Sequence, residues 1–209
     1  MARTANKDQV SLVDAARPVG AEQRTAARYT PLIRTAKITG ASGEFLCVVS
    51  DISESGVSVR LFHPLPRDNA LKLEMSNGDS LPLERVWEKD GRAGFRFGSD
   101  VDLGRVVTGH GKWPKRPIRL NLDMPAVLSG LTGQFDATIK NISMQGAQIE
   151  CSSRLAIDQR LRLSSRGLPE IRTKVRWRKG NLYGLVFDDT FQFADLARII
   201  AHAQGISTQ

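Results

Sequence analysis

The sequence predicts an all-β protein built from two small tandem antiparallel barrels, with one α-helix near the C-terminal end. Three observations predict this class: an internal repeat, many short runs of alternating apolar and polar residues, and helical periodicity in the last segment alone. A repeat of about 90 residues is too long for a solenoid unit and suits a domain that closes its own core. The 209 residues therefore divide into two domains.

The repeat consists of motifs that recur at a constant offset. The sequence DISESG at 51–56 matches NISMQG at 141–146, 90 positions later. Three further residues recur at the same offset: Trp87 matches Trp177, Gly94 matches Gly184, and Phe97 matches Phe187. Each copy also begins with basic residues four positions apart, Arg24 and Arg28 in the first and Lys115 and Arg119 in the second.

The strands are predicted from alternation with a period of two. The clearest run lies at 171–178, where Ile, Thr, Val and Trp alternate with Arg and Lys, as in a half-buried strand. Similar runs lie at 34–38, 45–50, 57–61, 70–75 and 92–97, and the turn sequences SNGD and KDGR separate some of them. Many short strands at near-regular spacing predict a small barrel in each copy.

Helical periodicity is confined to the end of the chain. Phe191, Leu196, Ile199 and Ile200 form an apolar stripe, which predicts a helix that packs on the second barrel, with an N-cap at Asp189 or Thr190. The predicted domains are a flexible N-terminus at 1–20, a first barrel at 21–98, a linker at 99–113 and a second barrel at 114–205.

The composition restricts the class of protein. Hydrophobic residues make up 41% and charged residues 25%, which excludes wholesale disorder. Cys47 and Cys151 form no CxxC motif and favour a reducing compartment, and no run is apolar enough for a signal peptide or a membrane span. We therefore expect a soluble, cytoplasmic protein.

No catalytic or metal-binding motif is recognisable in the sequence. It contains no Ser-His-Asp order, paired carboxylates in an apolar setting, phosphate loop or HExxH motif, and its three histidines lie far apart. The prediction is a protein that is not an enzyme, with no catalytic residues, no metal and no cofactor.

The repeated motifs carry groups suited to a guanine nucleotide. Arg24 and Arg28 offer planar forks that can grip a phosphate or the O6/N7 edge of guanine. Asp51 and Ser53 are two positions apart and therefore share one face of a strand end, and Gly56 permits a tight turn or a close ligand approach. Taken singly, the DxSxxG string is also an ordinary turn, and the RxxxR string is also a solvated helical face. Trp87 and Trp177 are interpreted as core and hairpin residues rather than as residues that stack on a base.

Together, Arg24, Arg28, Asp51, Ser53 and Gly56 resemble the signature of the PilZ family of cyclic di-GMP receptors, RxxxR followed downstream by (D/N)xSxxG. The stretches VWEKDGRAGFRF and VRWRKGNLYGLVF are similar to the late barrel hairpin of that family, so the resemblance covers about residues 21–205. It implies two tandem six-stranded antiparallel PilZ-type β-barrels, with a helix after the last strand. It also implies a bacterial protein with cyclic di-GMP as ligand, and an arginine segment that wraps over the ligand at the DxSxxG surface.

The second copy departs from the signature because Lys115 stands at the first arginine position. Lysine brings charge without the bidentate fork, and the neighbouring Arg116 lies between Pro114 and Pro117, which restrict the backbone. We expect a weaker second site with six members, Lys115, Arg116, Arg119, Asn141, Ser143 and Gly146. The alternative for this barrel is a structural role as a docking or dimerisation surface.

The charge points to a second kind of partner. The formal net charge is +8, and residues 111–209 hold 15 Lys and Arg against 8 Asp and Glu, whereas residues 1–110 hold 15 against 14. This excess predicts an acidic effector protein that docks on barrel 2, at Arg172, Lys174 and Arg176.

The leading hypothesis is a receptor that changes conformation on binding and regulates motility, exopolysaccharide production or virulence.

Two alternatives to this hypothesis stay open. One is a basic nucleic-acid-binding module, which an aromatic content of 6% disfavours because base-stacking surfaces interleave aromatic and basic residues. The other is a ligand-independent adaptor built on degenerate PilZ barrels. A salt-dependent mobility shift would favour the first of these, and effector capture without nucleotide binding would favour the second.

Overall fold

The first half of the chain forms a closed barrel of six antiparallel strands. The structure is a computed structural model that describes residues 34–76, 78–104 and 117–206. The strand order is β1–β2–β3–β6–β5–β4, and β4 pairs back onto β1. The strands are β1 (Arg34–Gly40), β2 (Gly43–Ser53), β3 (Gly56–Arg60), β4 (Leu71–Met75), β5 (Ser80–Lys89) and β6 (Arg92–Phe97).

The second half repeats this barrel with the same topology. Its strand order is β7–β8–β9–β12–β11–β10, and β10 pairs back onto β7. The strands are β7 (Leu120–Gly130), β8 (Gly133–Ser143), β9 (Gly146–Glu150), β10 (Arg160–Ser165), β11 (Ile171–Lys179) and β12 (Leu182–Phe187). The predicted fold of two tandem six-stranded antiparallel barrels is confirmed, and closure leaves neither barrel with an open sheet edge.

Alternating burial explains why these segments are strands. In β4, Leu71, Leu73 and Met75 are buried whereas Lys72 is exposed, and in β3 the buried residues are Val57 and Val59. Each barrel therefore surrounds its own apolar core, which is the main source of its stability.

The single described helix of more than one turn, α1 (Phe193–Ala203), lies between the two barrels. Leu196 and Ile200 are buried in the core of the second barrel, as predicted, while Ala201 packs against the core of the first. The predicted N-cap at Asp189 or Thr190 is wrong, because the helix begins after Gln192 and has no side-chain cap.

The late start of α1 has a structural cause. The backbone N–H of Phe191 donates to the carbonyl of Met144, which keeps this segment extended against the second barrel. Phe191 therefore lies outside the helix, where its ring packs edge-on against Phe187 at 5.8 Å. Asp189 lies 3.4 Å from Arg172, with which it forms an exposed ion pair.

A cluster of polar side chains joins the two barrels. The Lys37 ammonium donates to Glu44 Oε2 at 2.8 Å and to the Arg119 carbonyl at 3.1 Å. The Glu44 carboxylate also accepts from the backbone and side-chain N–H groups of Asn121, both at 2.8 Å. The Gln204 side chain, just after α1, bonds both the N–H and the C=O of Glu44. We call Lys37, Glu44, Arg119, Asn121 and Gln204 the junction cluster.

One buried histidine in the first barrel lacks a partner on one ring nitrogen. His63 packs at 5.3 Å from the Phe45 ring, and its Nδ1 lies 2.8 Å from the Pro64 carbonyl. Its Nε2 is buried, with no hydrogen-bond partner among the described residues. Burial lowers the pKa of His63 below its ordinary value, against smaller opposing effects of the Pro64 carbonyl and the Glu88 charge.

Several sequence predictions concern residues outside the described part. Residues 1–20, predicted as a flexible N-terminus, and most of the linker predicted at 99–113 lie there, so the domain limits at 21–98 and 114–205 stay predictions. Both cysteines, Cys47 and Cys151, are buried free thiols. Within 34–76, 78–104 and 117–206, no helix is long and apolar enough to cross a membrane.

Candidate ligand-binding face

The predicted DxSxxG residues form the turn between β2 and β3. Ser53 is the last residue of β2 and Gly56 the first of β3, and the Ser53 hydroxyl donates to the Gly56 carbonyl at 3.2 Å. In the second barrel, Ser143 and Gly146 make the same bond at the same distance. The serine of the motif therefore holds the turn closed.

The glycines of the motif are required by the neighbouring strand. A Cβ atom on Gly56 would overlap the backbone carbonyl of Phe95 on β6, and one on Gly146 would overlap that of Leu185 on β12. Because backbone atoms cannot move aside as the end of a side chain can, no larger residue fits at either position.

Pairing aligns four outward-facing residues across four strands of barrel 1. Trp87 on β5 pairs with Gly94 on β6, Gly94 with Ser58 on β3, and Ser58 with Asp51 on β2. The Ser58 hydroxyl donates to the Asp51 carboxylate at 3.0 Å. We call the outer surface of β2, β3, β5 and β6 the first face. At about 4.8 Å per strand, this row spans about 14 Å.

The two tryptophans lie in the β5–β6 and β11–β12 hairpins, as interpreted from the sequence, but their interpretation as core residues is wrong. Trp87 is 44% exposed and Trp177 is 38% exposed. Each indole lies on the glycine opposite it, because a Cβ on Gly94 or Gly184 would overlap the indole nitrogen. A register shift before each tryptophan, after Arg85 on β5 and after Val175 on β11, places an extra residue beside it on the outside of the barrel.

The first face contains a shallow cavity with a volume of 190 Å³. A second outward row beside the first contains Arg96 and Gly56, and the Arg96 guanidinium lies 3.9 Å from the exposed Glu84 carboxylate. The cavity combines an acid, a cation, hydroxyls and an aromatic surface, and its lining includes Asp51, Ser53, Ser58, Val86, Trp87 and Arg96. Typical small-molecule pockets are larger, at about 300–1,000 Å³, so a nucleotide here needs a further element to cover it.

The structure brings together some of the predicted site residues of the second barrel. Asn141 and Gln148 occupy the positions of Asp51 and Ser58, and the Asn141 amide donates to the Gln148 side chain. The Arg119 guanidinium lies 3.5 Å from Asn141 Oδ1, so an arginine of the predicted pair does meet the NxSxxG motif. Four other predicted site residues lie outside the described part of the chain: Arg24, Arg28, Lys115 and Arg116.

The sequence interpretation missed Trp87, Ser58 and Arg96, which join the site through strand pairing. A signal was present for the tryptophan, because the spacing from Trp87 to Gly94 recurs exactly from Trp177 to Gly184. No signal marked Ser58, since its place beside Asp51 depends on the register of β2 and β3.

One family model matches the chain twice, once over each barrel. The model described as the PilZ domain matches residues 22–107 and 115–204. The chain belongs to the PilZ family. Both PilZ matches include a (D/N)xSxxG turn and the tryptophan–glycine pair that follows it.

Several solved structures are similar to this PilZ protein at low sequence identity. A Borreliella burgdorferi PlzA protein in complex with c-di-GMP is 13% identical, covers 80% of this chain and 87% of its own, and has a TM-score of 0.32. A K. pneumonia MrkH–c-di-GMP complex is 14% identical, with coverages of 81% and 85% and a TM-score of 0.31. A Bacillus subtilis inhibitor of motility is 12% identical, with coverages of 82% and 97% and a TM-score of 0.35. No curated protein matches the chain.

Proposed function

We propose that this PilZ protein is a cytoplasmic receptor for cyclic di-GMP and not an enzyme. Family membership supplies the ligand class, and the first face supplies a place for it. The observation that carries the proposal is the exposed Trp87 indole, which lies against Gly94 in one row with Ser58 and Asp51.

Each group on the first face has a role that suits a guanine nucleotide. The Trp87 indole offers a stacking surface for a base, an interaction worth about 1–3 kcal/mol. The Asp51 carboxylate accepts from guanine N–H groups or orients an arginine fork. The Arg96 guanidinium attracts the phosphates, and Arg24 and Arg28 supply the cover that the shallow cavity needs.

Calorimetric titration of the whole chain with cyclic di-GMP tests the receptor proposal. At the first face we expect saturable binding that is lost in Arg28→Ala and weakened about tenfold or more in Trp87→Ala, since about 1.4 kcal/mol corresponds to a factor of ten. Lys72→Ala is the matched control, because Lys72 is an exposed cation on β4, outside the first face. A folded chain that gives neither heat nor competition at about tens of micromolar ligand would falsify the proposal.

The junction cluster provides a route from ligand to output. The Lys37 ammonium of barrel 1 holds the carbonyl of Arg119, whose guanidinium lies beside Asn141 on barrel 2. A ligand bound beside Asn141 on barrel 2 that draws the Arg119 side chain toward itself also acts on the hydrogen bond between the barrels. We propose that binding thereby changes the relative orientation of the barrels.

We also propose that an acidic effector docks on barrel 2. Arg160, Arg162 and Arg172 line a cleft of 410 Å³ with the fully exposed Leu131 and with Asp188. Arg162 and Arg172 are in exposed ion pairs with Glu170 and Asp189, which can exchange for a partner's carboxylates. An apolar anchor among cations fits an acidic protein segment. The aligned positions of barrel 1 hold Ala70, Lys72, Pro82 and Ala41, so the barrel fold does not require this charge.

Crosslinking in cells with and without cyclic di-GMP tests the effector surface. Reversing the charge at Arg160, Arg162 and Arg172 should abolish the crosslinked partner, whereas Lys72→Glu on barrel 1 should leave it in place. An unchanged crosslinking pattern in the triple variant would contradict this docking surface.

A further inference from the structure

The two barrels share one backbone arrangement but differ in charge at the aligned positions. On barrel 2, pairing aligns Trp177, Gly184, Gln148 and Asn141 across β11, β12, β9 and β8, the same row as on the first face. We call the outer surface of these four strands the second face. The amide of Asn141 replaces the carboxylate of Asp51, which removes one negative charge, and Val186 replaces Arg96, which removes one positive charge.

Two further replacements on β11 add positive charge. Lys174 stands where barrel 1 has Glu84, and Arg176 stands where it has Val86. Val86 is the extra residue at the β5 bulge, is 57% exposed and lines the cavity beside Trp87. The same register shift occurs on β11, so Arg176 is the bulge residue next to Trp177, and it is exposed.

The surroundings leave Arg176 available to an anion. Lys174 lies 3.4 Å from Asp158, an exposed pair of the kind that contributes little to stability and can exchange for another anion. Arg176 forms no ion pair within residues 34–76, 78–104 and 117–206. Arg119 lies at the opposite end of the row, 3.5 Å from Asn141.

We infer that Arg176, with Lys174, supplies from β11 the positive charge of a second cyclic di-GMP site on barrel 2. The bulge brings the Arg176 guanidinium to the Trp177 end of the row, and Arg119 supplies another guanidinium at the Asn141 end. The row spans about 14 Å, so an anionic ligand that lies along it has a cation at each end. Arg176 thereby supplies from the barrel a guanidinium fork, which the Lys115 side chain lacks.

This inference rests on the proposed receptor function, and a chain with a disabled first face separates the two. Asp51→Ala with Trp87→Ala removes two exposed groups of the first face and leaves the second face intact. We expect this double variant to retain cyclic di-GMP binding at one site in calorimetric titration. Adding Arg176→Val, which installs the barrel 1 residue, should weaken that remaining binding by about tenfold or more.

The salt dependence provides a second readout. The double variant keeps the Arg176 charge, which the triple variant with Arg176→Val lacks. Because salt screens this charge, raising the salt concentration should weaken the remaining binding more in the double variant than in the triple variant. Arg154→Val in the double-variant background is the control, since Arg154 is an exposed arginine of barrel 2 outside the second face. Circular dichroism and thermal melting establish that each variant is folded.

The possible results distinguish the two proposals. If the unaltered chain binds no cyclic di-GMP, both proposals are overturned. If it binds one equivalent that disappears completely in the folded double variant, the receptor function stands and the second site is overturned. If binding remains in the double variant but Arg176→Val does not weaken it, Arg176 has no part in the site.

Discussion

Removal of the Glu44 carboxylate should destabilise the chain through its effect on Lys37. Lys37 is 4% exposed, and Glu44 is its nearest counter-ion, at 2.8 Å. Loss of one partner of a buried ion pair costs about 3–5 kcal/mol, because the other charge stays buried without compensation. Lys37 keeps Glu74 at 3.4 Å and the Arg119 carbonyl, so we expect the lower limit, about 3 kcal/mol, for Glu44→Ala.

Differential scanning calorimetry measures this effect. For a chain of this size, 1 kcal/mol shifts the melting temperature by about 2–4 °C, so Glu44→Ala should melt about 6–12 °C below the parent. Gln134→Ala is the matched control, because Gln134 occupies the position of Glu44 in the second barrel and is exposed. Its melting temperature should change by only a degree or two, about 0.5 kcal/mol or less.

A second variant separates charge from packing. Lys37→Met combined with Glu44→Gln leaves no buried charge and keeps a hydrogen-bonding side chain beside Asn121, so it should be more stable than Glu44→Ala. The reasoning about the junction cluster is refuted if Glu44→Ala melts within about one degree of Gln134→Ala.

Three further predictions concern single residues. Gly94→Ala should displace the Trp87 indole and weaken cyclic di-GMP binding at the first face about tenfold in calorimetric titration, whereas Gly184→Ala should leave the first face unaffected. His63 has a folded pKa below its unfolded pKa, so its stability contribution is present above about pH 6.5 and decreases as the pH falls toward the folded pKa. Urea unfolding at about pH 7.5 and pH 5.5 should show this loss, which His63→Leu removes and His202→Gln on α1 does not; an unchanged pH dependence in His63→Leu would count against the mechanism. Burial raises the pKa of the Cys47 thiol, so Cys47 should react with a thiol reagent only after unfolding, and rapid labelling of the native chain would contradict its buried position.

Local patterns were sufficient to predict the strands with strict alternation. The run at 171–178 is β11, and the runs at 57–61, 70–75 and 92–97 correspond to β3, β4 and β6 within one residue at each end. Among the strands outside the predicted runs, β5 and β7 each contain a proline that interrupts the alternating pattern. Pro82 pairs with Lys72 in β5, and Pro125 pairs with Thr138 in β7.

The residues of the site also differ in whether the sequence alone could predict their roles. The (D/N)xSxxG turn could be predicted because its serine and glycine act within four residues, where Ser53 bonds Gly56. The role of Trp87 could not, because burial depends on the strand register and the bulge after Arg85. A tryptophan in a strand is equally compatible with an inward or an outward position until that register is known.

The sequence by itself determined that this protein is a duplicated barrel of the PilZ type with two signature turns, since repeats and turns are local patterns. The tertiary structure alone decided that Trp87, Gly94, Ser58 and Asp51 form one row, and that α1 and the junction cluster connect both barrels. The physical reason is that hydrogen-bond register brings together residues that lie far apart along the chain, and local patterns do not encode that register.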